Sequence, residues 1–99
     1  MSKKVITILT ARVSEDQWQT LKAAYQRIVA EKMPIKPVRS FLVQNKKEPT
    51  GWQIITEWQD METLNKMRES GGVPAGVRIF KEAGADPALS IFEIEEELT

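Results

Sequence analysis

Val5-Ile-Thr-Ile-Leu-Thr-Ala-Arg-Val13 is the stretch on which the fold turns. It is rich in β-branched residues and reads as a strand, with Val5, Thr7, Leu9 and Ala11 on one face and Ile6 and Ile8 on the other. A strand that is apolar on both faces needs cover on both sides. A solvent-facing antiparallel sheet would instead show one clean polar face.

Downstream of this strand, Ser14 stands three residues before Gln17, the spacing of a capping box, and Glu15 and Asp16 suit the positive end of a helix dipole. Trp18, Leu21, Tyr25, Ile28 and Val29 then fall on one helical stripe, which the prolines of Met33-Pro34-Ile35-Lys36-Pro37 bring to an end. Val38 to Gln44 alternates as a second strand, Asn45 to Gly51 has turn chemistry, and Trp52 to Trp58 reads as a third strand completing a hairpin. Asp60 can cap a second helix carrying Met61, Leu64 and Met67, with Gly71-Gly72 as its break. Pro74 to Ala83 adds a short helix with Val77 and Phe80 inward, and Leu89 to Glu95 forms the last strand.

The order strand, helix, strand, strand, helix, strand predicts an α+β chain with the ferredoxin-like βαββαβ arrangement: a four-stranded antiparallel sheet with its helices on one face. The first and last strands become neighbours, which places Lys3 and Lys4 near Glu95, Glu96 and Glu97. Helices on one face leave the other uncovered, and Ile6, Ile8 and Ile55 lie there. The economical cover is a second copy of the sheet, so the expectation is a homodimer joined through the sheet face.

The chain has 99 residues, which predicts a single domain over 1–99. Fourteen Lys and Arg balance fourteen Asp and Glu, so no general positive field recruits nucleic acid or an anionic membrane. There is no cysteine and no histidine, which removes thiolate and imidazole chemistry and nearly every zinc, copper or haem ligand set; no metal and no cofactor are expected. The start Met1-Ser2-Lys3-Lys4 leads into a short apolar run that soon meets charge, unlike a signal peptide, and no segment approaches the roughly 20 apolar residues of a membrane span. The expected location is the cytoplasm.

The third strand running into its helix, Trp52-Gln-Ile-Ile-Thr-Glu-Trp58-Gln-Asp-Met-Glu-Thr-Leu64, resembles the central motif of the antibiotic biosynthesis monooxygenase family: an apolar strand, a Trp at its end, a capping residue and a helix. Arg39-Ser-Phe-Leu-Val-Gln44 and Ser90-Ile-Phe-Glu-Ile94 resemble that family too, and the likeness runs from Val5 to Ile94. It implies a dimeric α+β barrel with a small apolar pocket between the sheet and its helices. It also implies cofactor-independent oxygenation of an electron-rich aromatic or quinol by molecular oxygen. The sequence departs from the pattern at Ile54, where polyketide-oxidising relatives carry Asn, and at Met67 and Val77, where haem-degrading relatives carry Trp and His.

The substrate-binding candidates are Trp58, Tyr25, Arg39, Met61 and Arg78. Trp58 can stack on a flat ring or simply pack the core. Tyr25 can hydrogen-bond a substrate oxygen or reach solvent past the core edge. Arg39 and Arg78 offer forked guanidinium donors for an anionic oxygen, against the commoner role of solvated surface charge. Met61, like Met33 and Met67, suits adaptable lining. Trp52, beside the hairpin, reads as a rim or dimer contact. Glu57 falls on the face opposite Trp58 and is a poor general base, and no catalytic residue stands out. The competing reading is a non-catalytic small-molecule binding dimer of the same fold. An RNA-binding module is disfavoured because the first strand has no aromatic residue.

Overall fold

The computed structural model describes residues 3–31, 35–69 and 74–98. The chain runs β1 (Val5–Arg12), a 3-10 turn (Glu15–Gln17), α1 (Trp18–Val29), β2 (Arg39–Gln44), β3 (Gly51–Trp58), α2 (Met61–Glu69), α3 (Ala75–Glu82) and β4 (Ala88–Glu93). The strands form one antiparallel sheet in the order β2-β3-β1-β4. This is the ferredoxin-like βαββαβ arrangement, with α3 continuing the second crossover beyond α2.

Register assigns the faces. Val5, Thr7, Leu9 and Ala11 stand opposite Trp58, Thr56, Ile54 and Trp52, and this surface meets the helices. Leu21, Ile28, Ile79 and Phe80 are fully buried against it. Each such side chain contributes roughly 1.5–3 kcal/mol by leaving water. Trp18 packs edge-on against Trp52, with ring centroids 5.9 Å apart. Trp52 is therefore core and not a rim residue, because α1 begins directly over the hairpin end of β3.

The core divides in two. Its larger part joins α1 and α3 to the upper sheet, while Val5, Trp58 and Leu64 form a smaller cluster with Ile35 and Met67 at its side. Gly76 lets α3 come down onto the sheet: a Cβ there would lie 2.4 Å from Leu9 Cδ1. The same glycine that weakens α3 as a helix thus makes its packing possible.

Several local expectations change in detail. The Ser14 hydroxyl donates to Asp16 Oδ1 at 2.6 Å and makes no cap bond, because the chain enters α1 through a 3-10 turn. Val29 is exposed and Ala24 takes its place on the buried stripe. Asp60 does cap: its Oδ1 accepts from the Thr63 backbone N–H and from the Thr63 hydroxyl, both at 2.7 Å. Lys3 reaches Glu95 at 2.7 Å, as adjacency of β1 and β4 requires. Met33 and the Gly71-Gly72 break lie outside the described residues.

The second face of the sheet carries Ile6, Ile8 and Ile55, which are half-buried by their neighbours, and Phe41, Val43 and Phe92, which are exposed. These residues make an apolar band across all four strands.

Candidate functional site

At the level where the two core clusters part, the helix-facing surface of the sheet is polar. Register aligns Ser40, Thr56 and Thr7 across β2, β3 and β1, with Ile91 continuing the row on β4. Threonine suits a strand through its branched Cβ, so the row costs the sheet nothing while bringing hydroxyls under the helices.

Two aromatic residues close onto this row. Tyr25, on α1, donates its hydroxyl to Ser40 Oγ at 3.2 Å, and Ser40 Oγ lies 3.3 Å from Thr56 Oγ1. Trp58, at the end of β3, donates its indole N–H to Thr7 Oγ1 at 3.0 Å. Trp58 and Thr7 are buried, whereas Tyr25, Ser40 and Thr56 are half-buried, so the row runs from the core toward solvent. Asp60 fixes where the chain leaves Trp58 and turns into α2. The Thr63 N–H first, and then the Thr63 hydroxyl, hold its carboxyl below the usual range.

Of the sequence candidates, the structure brings Trp58 and Tyr25 to one seam and places the others elsewhere. Arg39 lies on the second sheet face. Its Nε donates to Glu57 Oε1 at 2.9 Å, and its guanidinium rests over Phe41 at 5.7 Å. Glu57 is buried there and also faces Lys4 Nζ at 3.7 Å, so the carboxylate turns away from Trp58. Arg78, on α3, donates to Glu31 at 3.2 Å on the outer surface. Met61 is exposed at the first position of α2. Thr7, Ser40 and Thr56 carry no signal in the sequence, because a strand hydroxyl gains its partners only through register.

An open groove of about 700 Å³ lies apart from this seam, at the hairpin end of the sheet, lined among others by Thr10, Arg12, Val43, Glu48, Gln53 and Asp86. It is not the pocket between sheet and helices that the family likeness implies. Some of its polar groups bond to one another: Arg12 pairs with Glu48 at 3.6 Å, and Gln53 donates to Thr10 at 3.2 Å. Among the described residues no group of His, Cys, Asp or Glu could hold a metal ion, and no helix is long and apolar enough to cross a membrane.

Fold and seam together define an α+β protein with a row of strand hydroxyls and two aromatic residues between sheet and helices. The fold is that of the antibiotic biosynthesis monooxygenase-like proteins. SnoaB from Streptomyces nogalater, a cofactor-independent oxygenase, superposes with a TM-score of 0.72 over 98% of both chains at 13% identity. A candidate antibiotic biosynthesis monooxygenase from Caulobacter crescentus superposes at 0.71, covering 96% of this chain and 92% of its own at 14% identity. A conserved protein from Methanosarcina mazei Go1 superposes at 0.70 over 92% of both chains, with 12% identity. No protein-family profile matches the sequence, and no curated protein matches it.

Proposed function

We propose that this protein is a cofactor-independent monooxygenase acting on a small electron-rich aromatic or quinol, and that it works as a homodimer joined through the second sheet face. The observation that carries the reading is the seam itself: Trp58 and Tyr25 meet a row of strand hydroxyls in a part-buried setting. The chemistry asks little of the protein. A substrate such as an anthrone ionises and supplies the electrons; its methylene carbon gains one atom of O₂ as a carbonyl, and the other leaves as water with the two methylene hydrogens. The protein must hold the anion with oriented donors and keep bulk water away. Hydroxyl donors can meet that demand, so the absence of His and Cys is no obstacle.

The apolar band of Ile6, Ile8, Ile55, Phe41, Val43 and Phe92 supports the dimer, since monomers rarely leave so wide a patch exposed. A second reading, a binding protein without turnover, is favoured by Glu57. Its buried carboxylate is committed to Arg39 on the face away from Trp58, and so it does not serve as a base at the seam.

The test is oxygen uptake with a panel of anthrones and hydroquinones, comparing the natural protein with Trp58→Phe. Uptake above the uncatalysed rate that falls in the variant supports the oxygenase; no uptake across the panel, with binding retained, selects the binding protein.

A further inference from the structure

A ligand that stacks on Trp58, as the proposed function requires and on which this inference rests, must first reach it. Trp58 is only 6% exposed, covered by Leu64 of α2 in a small cluster with Val5 and flanked by Ile35 and Met67. The ring becomes available to a flat ligand when part of that cover withdraws. Which part moves depends on how firmly each helix is held.

Two of the helices are held in depth. Leu21, Ala24 and Ile28 of α1 and Ile79 and Phe80 of α3 are buried in one cluster over the sheet. Gly76 brings the α3 backbone down onto Leu9, and Arg27 pairs with Glu82 and Arg78 with Glu31, joining α3 to α1 and to the residue just after it. The third helix is held by much less. Of the nine residues of α2, Leu64 alone is buried; Thr63 and Met67 are half-buried and the others face solvent. Its ion pair among the described residues, Lys66 with Glu62 at 3.4 Å, stays within the helix, and the Asp60 cap is equally local. Withdrawing α2 uncovers one leucine and the faces of Trp58 and Val5 beneath it, whereas lifting α1 or α3 breaks the main core. A segment that buries so little opens at a small share of the free energy of global unfolding.

We propose that α2 is a lid over Trp58. Leu64 plugs the closed form, and an aromatic ligand enters when α2 comes away from the sheet and takes the place of Leu64 against the indole ring. Only the open form binds, so the apparent affinity is the intrinsic one reduced by the open fraction.

The experiment is native-state hydrogen exchange of the free full chain, followed by nitrogen-15 NMR over a series of urea concentrations below the unfolding transition. A nine-residue helix detached from its protein is not stable in water, so its amides exchange while the lid is open. The lid predicts that the amides of Asn65 to Glu69 and the Trp58 indole N–H share one opening. That opening should be at least about a hundredfold more populated than the one exposing the core amides of β1 and β3, and depend less on urea. Leu64→Ala should raise it about thirtyfold or more, and the exposed change Asn65→Ala, which strengthens the helix, should lower it about threefold, with the α2 amides and the Trp58 indole moving together each time. The natural chain carries the test alone if Leu64→Ala does not fold. A Trp58 indole that exchanges only with the sheet amides would mean that α2 frays without uncovering the ring, and would overturn the lid; so would α2 amides as protected as those of β1 and β3. Exchange needs neither ligand nor oxygen: a shared opening without oxygen uptake keeps the lid and rejects the oxygenase. Uptake with the Trp58 indole tied to the sheet amides rejects the lid and leaves the oxygenase standing.

Discussion

Replacing Gly76 with alanine should destabilise this protein, although alanine is the better helix former. Within α3 the exchange gains about 0.8–1 kcal/mol of helix propensity. Against this, the new Cβ would stand 2.4 Å from Leu9 Cδ1 and 3.9 Å from Ile54 Cδ1. Carbon atoms rest at about 3.5–4.0 Å, so the first contact is an overlap of more than 1 Å. Leu9 is buried between Ile54 on β3 and Leu89 on β4, so relief requires either a new rotamer in a packed core or a lift of α3 from the sheet. Overpacking of this kind costs about 1–3 kcal/mol. The net expectation is a loss of about 1 kcal/mol, or a fall in Tm of roughly 4–8 °C for a domain of this size. Leu9→Val supplies the control, because valine lacks the δ carbons that collide. In that background Gly76→Ala should become neutral or stabilising, giving a coupling of about 1–3 kcal/mol in a double-mutant cycle read by urea unfolding. A stabilising Gly76→Ala in the natural protein, or an equal effect in both backgrounds, would refute the packing argument.

Other outcomes follow from the same contacts. Thr7→Val leaves the buried Trp58 indole N–H without an acceptor and should cost about 1–3 kcal/mol in urea unfolding, most of which Thr7→Ser recovers. If the proposed dimer forms through the second sheet face, Phe41→Lys should leave the protein monomeric in sedimentation velocity without loss of helical signal; dimers that persist in the variant would contradict that interface. Because hydrogen bonds from Thr63 lower the Asp60 pKa in the folded protein, the stability Asp60 contributes is full above its ordinary value of 3.8. That stability is lost as pH falls through the lower folded value. Asp60→Asn should remove this acid-side dependence, seen as a smaller change in Tm between neutral pH and pH 3; an unchanged acid profile would contradict the cap.

How much of this was legible in the sequence depends on whether the deciding contact was local. The two-faced apolar pattern of Val5 to Val13, the hairpin around Asn45 to Gly51 and the Asp60 cap are set by neighbours in the chain, and the sheet order follows from them. Ser14 misleads because its hydroxyl has a nearer acceptor in Asp16, a choice between two local bonds that spacing alone does not settle. Trp52 reads as a rim residue until Trp18, 34 positions earlier, is seen to lie across it. At the site, Trp58 and Tyr25 stood out as aromatic residues at element ends and on an inward stripe. Arg39 stood out too, yet strand alternation puts it on the other face, beside its register partner Glu57. The hydroxyls of Thr7, Ser40 and Thr56 carry no pattern of their own in sequence. They become one seam when three strands align and two aromatic residues from separate elements reach them.

The central claim, that an aromatic ligand sits at this seam between sheet and helices, is tested most directly by the indole N–H signals of Trp18, Trp52 and Trp58 in a nitrogen-15 NMR titration with an anthrone-like quinol under nitrogen. The account predicts a saturable shift of the Trp58 indole together with the Thr7 and Thr56 amides, while Gln53 and Arg12 in the hairpin-end groove stay in place. Shifts confined to Thr10, Arg12 and Gln53, with Trp58 unmoved, would place the ligand in that groove and contradict the account.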